Sequence, residues 1–450
     1  MSVSTTTALP PSPPRDTGPQ RGSAPRHDRG TSLRIGLMTD TYLPIANGVT
    51  HMVSLLARQL AAWGHEPHIF TFAPTLDLRM APEGLLAHPP HLLRVPPREL
   101  DSEEKGVHVH HAPALPLFNS GYFLGMRYPL WMKQLLREMD IIHVHHPFIS
   151  GRLALRIALP EQPLIFTNQT RYDIYSHYVQ RVVPFVPTEA VGERLTRRAA
   201  QFANRCDAVI APSASLAQVL GTWGVTTPVE VIPNGIELER FHRAVSKGAA
   251  RTGTSEYSQK GATRNPVVVY LGRLAPEKNC ETLLDAFALA HREVPAARLV
   301  LIGDGPAEAD LQRHAQTLGL HDCVTFRGAL PYETVPQALA ECDVFASASF
   351  SEVHPLTFIE AMAAGLSCVG TNSPGVVDTV VDGRNGWLAP PQVDELARAL
   401  VLALSDADER ARRAANALQD SRPYAIETTA QRVLDLYRSV HYSKTARSAA

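Results

Sequence analysis

Cysteine is scarce in this chain of 450 residues: five are scattered at positions 206, 280, 323, 342 and 368, without paired spacing. They offer no disulfide framework, and a reducing compartment is the simplest expectation. An excess of positive charge is also missing, since 43 Lys and Arg face 44 Asp and Glu for a formal net charge of −1. Nucleic-acid binding would need a basic face that this balance does not supply. No apolar run approaches the ~20 residues of a membrane-spanning helix. The opening MSVSTTTALPPSPPRDTGPQRGSAPRHDRG lacks the apolar core of a secretory signal. A cytoplasmic location is expected.

What is present is an ordinary globular composition, 44% hydrophobic, in a chain too long for one compact core. Two domains of about 200 residues each are expected. Residues 1–31, rich in Pro, Ser, Thr and Arg, read as a disordered tail. A first α/β domain is expected over 32–240 and a second over 266–421. Between them, 241–265 reads as a flexible linker because of its polar GAARTGTSEYSQKGATR run. A terminal helix at 422–442 and a frayed tail at 443–450 complete the division. Strands alternate with helices in both halves, so the fold class is α/β: two doubly wound, Rossmann-like domains facing a central cleft.

The organising stretch is SASFSEVHPLTFIEAMAAGLSCVGT, Ser347 to Thr371. It follows the apolar run Asp343–Val344–Phe345–Ala346, a buried parallel strand by pattern. Pro355 suits the first turn of a helix, where its missing N–H is no loss. Leu356, Ile359, Met362 and Ala363 recur at helical spacing, and Gly365 supplies a stop. Glu352 falls on the loop and Glu360 on the helix, seven residues apart in between. Backbone N–H groups at Leu356 and Thr357, with the helix dipole, would hold a phosphate without a cationic side chain. Solvated surface acids are the plainer reading of any Glu pair. Their place after a buried strand favours a ligand site.

Earlier in the chain, Leu33 to Thr39 reads as a buried strand. Asn47–Gly48 is a turn leading into a helix with Val49, Met52, Val53, Leu56 and Leu60 on one face, ended by Gly64. His68 to Phe72 is the next strand. The proline-rich stretch from Pro74 to Pro116 is expected to hold strands near Leu92–Val95 and Val107–His111. A helix from Tyr128 to Met139 precedes a strand carrying His143, His145 and His146. No acid or cysteine lies nearby at ligand spacing, so contact between His145 or His146 and a substrate is preferred to a metal site. A strand from Pro163 to Thr167 leads into NQTRYDIYSHYV. The helical segment Pro187–Asn204 carries Arg194, Arg197 and Arg198, which read first as a solvated face. Acidic and basic residues balance between Leu33 and Arg240.

In the second half, VVVYLGRLAPEKN is strand then loop. Gly272 lets the backbone turn, and Arg273 and Lys278 hang from the loop. Two cations there suit a diphosphate leaving group. Arg298 to Asp304 is another strand, and its Gly303–Asp304–Gly305–Pro306 turn is neither a dinucleotide fingerprint nor a Walker loop.

Several of these motifs carry a resemblance. SEVHPLTFIEAMAAG is similar to the E-x7-E region of glycosyltransferase family 4, retaining GT-B enzymes that use nucleotide sugars. GRLAPEKN resembles that family's phosphate-binding loop, and the PNGI segment at Pro233–Ile236 resembles the close of its first domain. NQTRYDIYSHYV resembles the HTxYExYxHY segment of members that glycosylate diacylglycerol. Asp173 replaces the Glu of that pattern, and Gln169 stands where the pattern has its active-site His. The likeness spans Leu33 to Tyr442 and is strongest from Val267 to Thr371.

The resemblance implies a retaining hexosyltransferase needing no metal or other cofactor. Glu352, Arg273 and Lys278 would be catalytic. The donor would touch Gly48, Gly272, Arg273, Lys278, Leu330, Glu352, His354, Pro355, Leu356, Thr357 and Glu360, with Glu352 on the hexose and Glu360 on the ribose. The acceptor side would hold His145, His146, Gln169, Tyr172, Tyr175 and His177. Implied partners are a nucleotide-sugar donor and a glycerolipid acceptor such as diacylglycerol, with weak peripheral contact at the inner face of a membrane and no nucleic acid. A soluble or polyprenyl acceptor, a sugar-nucleotide epimerase, a glycan phosphorylase and a hinged sugar-binding protein remain alternatives. No pyridoxal-bearing lysine for a phosphorylase is identifiable.

Overall fold

The structure, a computed structural model, describes residues 32–43, 47–74, 102–117, 122–125, 127–174, 188–250 and 265–449. The expected tail at 1–31, the strand near Leu92–Val95, and residues Tyr175 and His177 lie outside the described residues.

Apolar runs that are buried on both faces make parallel strands, because helices must cover each side of the sheet. The strands of the first lobe are β1 (Arg34–Met38), β2 (Glu66–Pro74), β3 (Ser102–Glu104), β4 (Val107–Leu117), β5 (Tyr122–Gly125), β6 (Ile141–Val144), β7 (Leu164–Thr167), β8 (Ala208–Ala211) and β9 (Val229–Val231); β1, β6, β7 and β8 are of this kind. The sheet order is β3-β4-β2-β1-β6-β7-β8-β9, with β5 paired to β4. All pairings are parallel except those of β3 and β5 with β4. β4 runs through Pro113 and Pro116, well beyond the expected His111. Among the described residues Pro113 pairs only with β2 and Pro116 only with β5, so each has an unpaired side where proline is tolerated.

The second lobe holds β10 (Val267–Leu271), β11 (Arg298–Ile302), β12 (Val324–Gly328), β13 (Val344–Ser347), β14 (Ser367–Thr371) and β15 (Gly386–Ala389), in the order β12-β11-β10-β13-β14-β15. Every pairing in it is parallel. Phe345, Phe358, Ile359 and Met362 fill one side of this sheet, and Leu283, Leu284, Phe287 and Leu400 the other.

Two boundaries differ from expectation. The linker expected from 241 begins instead as a helix, Leu238–Ala250, anchored by the buried Phe241 and Ala244. Its exposed face is polar, which disguised it in the sequence. The tail expected to fray from 443 is the end of a 24-residue helix, Ile426–Ala449. There Lys444 Nζ meets Asp207 Oδ2 at 2.6 Å and the Gln162 carbonyl at 2.9 Å.

That helix ties the chain's end to the first lobe. Ile426 N donates to the Ile236 carbonyl and Ile236 N to that of Tyr424. Gly235 allows this approach, since a Cβ there would lie 2.8 Å from Ile426 Cα. Further along, the Tyr437 hydroxyl and His143 Nδ1 share a buried 2.6 Å hydrogen bond, and His143 Nε2 bonds Thr167 at 2.6 Å. The imidazole is therefore spent on structure, with burial holding its pKa near 3. Tyr437→Phe removes one partner from a buried ring nitrogen, and a loss of about 1–3 kcal/mol of stability is expected. Urea unfolding checks this, and an unchanged midpoint would show that the bond does not hold the helix.

Candidate active site

The site forms where the carboxyl ends of both sheets meet, the usual ligand crevice of open α/β sheets. Ser213, just after β8, donates its hydroxyl to the Val353 carbonyl at 2.8 Å. Asn234 Nδ2 donates to the His354 carbonyl at 3.4 Å. Ser215 N donates to Asp378 Oδ2 at 3.2 Å. The first two contacts hold the loop with Glu352 against the first lobe, and the third holds the segment after β14.

Lys278 Nζ donates to Glu352 Oε1 at 2.7 Å, joining residues 74 apart in sequence. Burial pushes the Glu352 carboxyl up, but the Lys278 ammonium and the Ser349 hydroxyl outweigh it and hold the pKa below the usual range. Glu352 is thus an ionised, half-buried acid that can accept hydrogen bonds. The ammonium has three N–H donors, so its chemistry can serve a carboxylate and a phosphate oxygen together. Arg273 pairs with Glu277, whose side chain is only 2% exposed. Sequence reasoning passed over Glu277, although it sits between the two cations. A guanidinium with five donors can be oriented by this buried carboxylate and still serve an anion. Asn279 adds a left-handed turn, φ 54°, and its amide donates to the Ala348 carbonyl at 3.3 Å. The Gly272–Asn279 loop is thereby fastened to the loop after β13.

Across the cleft, the first helix starts beside Asn47, whose side chain caps Thr50 N while the Thr50 hydroxyl accepts from Asn47 N. Such a reciprocal cap fixes the helix entry. Gly48 therefore lies in the helix's first turn, where a Cβ would meet Leu356 Cδ1 at 4.0 Å. Opposite it, Pro355 caps the helix Leu356–Ala363 without a side-chain hydrogen bond. The Leu356 and Thr357 amides belong to the first turn, which has no intrahelical acceptors for them. His354 is buried, and burial lowers its pKa to about 4 against the opposing pull of Asp378. It faces Tyr424 as a neutral ring.

Glu360 has the opposite character. It is 5% exposed, and burial raises its pKa to about 8, with the Tyr332 hydroxyl pulling the other way. Tyr332 packs against His51 with ring centroids 4.3 Å apart, and Arg240 lies over its ring. His51 comes from the first lobe and Arg240 from the Leu238–Ala250 helix; neither was foreseen, since nothing near them in sequence marks the cleft. Burial, reinforced by Arg58 and Arg240, lowers the His51 pKa to about 4. Leu330 is half-buried on the same core cluster as Tyr332.

The acceptor-side candidates gather at the ends of β6 and β7. His146 Nδ1 lies 3.2 Å from the Thr39 hydroxyl and accepts from Asp40 N at 3.2 Å. His145 is buried, its ring 4.3 Å from His143, and neither of its nitrogens has a hydrogen-bond partner among the described residues. Burial, then His143 and His146, hold it well below its ordinary pKa. Gln169 is half-buried on the loop after β7. Tyr172 is buried between Phe148 and Trp223. The structure thus brings Lys278 to Glu352 and Gly48 to Leu356, while Tyr172 packs within the first lobe's core.

Comparison with known proteins agrees with this arrangement. The family model for Glycosyl transferases group 1 matches residues 255–420, and that for Glycosyltransferase Family 4 matches 46–240. The alpha-monoglucosyldiacylglycerol synthase of Streptococcus pneumoniae is 30% identical over 376 residues, covering 83% of this chain and 78% of that protein. The alpha-monoglucosyldiacylglycerol synthase of Acholeplasma laidlawii is 27% identical over 418 residues, covering 90% and 96%. Among solved structures, Anabaena HepE in complex with UDP and glucose superposes with a TM-score of 0.66 at 22% identity, covering 90% of this chain and all of that one. Sucrose-phosphate synthase from Thermosynechococcus elongatus gives 0.68 at 22%, covering 91% and 100%.

Glu360 keeps its proton to about pH 8 when folded, against an ordinary value of 4.5. Its stabilising contribution is complete below the unfolded pKa and is lost as pH rises through the folded one. The stability of the wild type relative to Glu360→Gln is expected to fall by more than about 1.4 kcal/mol between pH 5 and pH 9. Urea melts across that range check it, and parallel profiles would show that the carboxyl is ionised when folded.

Proposed function

This chain belongs to glycosyltransferase family 4 and is a hexosyltransferase of the GT-B fold, and from that premise we propose that it transfers a hexose from a nucleotide-diphosphate sugar to diacylglycerol with retention at the anomeric carbon. The observation that carries the reading is the Lys278–Glu352 pair at the mouth of the Leu356–Ala363 helix. It places a cation, an ionised acid and a helix N-terminus on one cleft, which is the equipment for a diphosphate leaving group joined to a sugar. No metal ion takes part in the proposed transfer.

In the proposed complex Arg273, Lys278 and the Leu356 and Thr357 amides grip the diphosphate, with Gly48 above it and Gly272 leaving room at the loop. Glu352 accepts hydrogen bonds from the hexose hydroxyls, and Glu360 reaches the ribose. Pro355 fixes the helix start, His354 lines the sugar pocket as a neutral ring, and Leu330 borders the base. As the glycosidic bond breaks, negative charge grows on the diphosphate, and the two cations stabilise it more in the transition state than before. Acceptor and leaving-group oxygens lie on one face of an oxocarbenium-like sugar, so the departing phosphate oxygen takes the acceptor's proton. Gln169 holds no ionisable proton at neutral pH. It serves by hydrogen bonding, alongside His145, His146 and the Tyr172 segment that includes Tyr175 and His177.

The names of the two relatives compared above support a lipid acceptor. No helix among the described residues is long and apolar enough to cross a membrane. The lipid acceptor proposed here would be met peripherally, at the inner face of a membrane.

Incubating UDP-glucose or GDP-mannose alone, and then with diacylglycerol vesicles, a polyprenyl phosphate or a soluble sugar, tests the reading. Glycosyl diacylglycerol with the donor's anomeric configuration is expected. An altered donor without acceptor would mark an epimerase, and a different glycosylated acceptor would overturn the lipid assignment. Lys278→Ala and Glu352→Ala are each expected to lower transfer at least ~100-fold, as loss of a transition-state electrostatic group does, with an unchanged circular dichroism spectrum. Full activity in either variant would remove its assigned role.

A further inference from the structure

At the other end of the first sheet, away from the cleft, β2 and β4 bring histidine and carboxylate side chains together in a way the transfer reaction does not use. His68 and His108 are register partners across the parallel β2–β4 pair. Glu66 precedes His68 by two residues and so shares its face of the strand. One ligand atom from each of Glu66, His68 and His108 lies within 4.8 Å of the other two. We propose that Glu66, His68 and His108 form a binding site for a zinc-like divalent transition metal, with a fourth position open to water.

The donor set is two imidazoles and a carboxylate, which suits a borderline cation such as zinc rather than a hard one such as calcium. Tetrahedral bonds of about 2.0–2.2 Å set ligand atoms about 3.3–3.6 Å apart, so an ion would draw the wider-spaced atoms of the cluster inward and open the His68–Glu66 contact slightly. Glu66 and His108 are only half-buried and have room to rotate inward. His68 is the buried, fixed member, with Nε2 already 2.9 Å from Glu66 Oε1. His68 Nδ1 lies 3.0 Å from His110 Nε2. With the ion on Nε2, the Nδ1–H of His68 donates to His110, which fixes the ring as metal-bound histidines are usually fixed.

Charge around the cluster also balances. The Glu103 carboxylate stands 3.6 Å from His108 Nδ1 and supplies a second negative charge. Arg34 approaches Glu66 at 3.5 Å but lies nearer, at 3.1 Å, to Glu138. A cation entering at Glu66 thus meets a guanidinium that already has another acid to hold it. The three ligands come from two paired strands, so an ion here would clamp β4 to β2.

The test is a Co(II) titration of the full-length chain after treatment with EDTA, read by visible absorption and by thermal melting, and repeated by competition with Zn(II). One ion per chain is expected, with the intense bands of a low-coordinate site and a raised Tm. Glu66→Gln and His108→Gln are each expected to weaken binding more than tenfold, and His110→Gln about 10–100-fold through the orienting bond. Both ligand positions are half-exposed, and unchanged metal-free melting of the variants shows that they fold. Absence of stoichiometric binding by the wild type would overturn the proposal. Equal binding by wild type, Glu66→Gln and His108→Gln would overturn it too, by sending the ion to other histidines of the chain.

Discussion

A half-buried carboxylate stays ionised most readily when a cation stands beside it, and Lys278 does so for Glu352. Much of the second lobe is arranged to permit that contact. The β10 and β13 strands are neighbours in the sheet, so their following loops emerge side by side. Asn279 and Ser351 then stitch the two loops through the Ala348 and Glu277 carbonyls. Holding a long lysine side chain in one geometry costs conformational entropy. The stitching places that cost in folding, before any substrate arrives, and leaves the site preorganised for electrostatic work.

The two glutamates of the motif are chemically unlike because their surroundings are. Glu352 has a cation and a hydroxyl, and stays ionised. Glu360 has burial and a tyrosine, and keeps its proton near neutral pH. A protonated carboxyl can donate as well as accept, which suits a neutral diol such as a ribose. Tyr332, which covers Glu360, is itself held by His51 from the opposite lobe and by Arg240 from the Leu238–Ala250 helix. The nucleoside end of the proposed site therefore depends on both lobes, and the seam between them is part of the chemistry.

Strands buried on both faces were readable as apolar runs: IGLM, VVVYL, LVLI and VFAS all lie where their hydrophobicity places them. The strand–loop–helix around Glu352 was readable for the same reason, since Pro355 and the Leu356–Ala363 spacing announce a helix start. Elements stabilised by a few distant contacts were not. The Leu238–Ala250 helix mixes polar and apolar residues about evenly, and its anchor Phe241 joins a core assembled from residues far along the chain. The last turns of the terminal helix depend on Lys444 reaching Asp207 across 237 positions. His143 looked like one of a set with His145 and His146, yet its partner Tyr437 lies 294 residues away. Within the site, Glu277 lay between the two cations in sequence and was still unread, because its burial is a property of the folded loop and not of its neighbours in sequence.

The central claim is that Lys278, neutralising Glu352, also holds the diphosphate. Isothermal titration of wild type and Lys278→Ala with UDP, GDP and the matching monophosphates measures this without chemistry or acceptor. The account predicts that the wild type binds one of the diphosphates at least ~10-fold tighter than its monophosphate, a difference of about 1.4 kcal/mol, and that this preference collapses in Lys278→Ala. A wild type that does not distinguish diphosphate from monophosphate, or a variant that distinguishes them equally well, would contradict it.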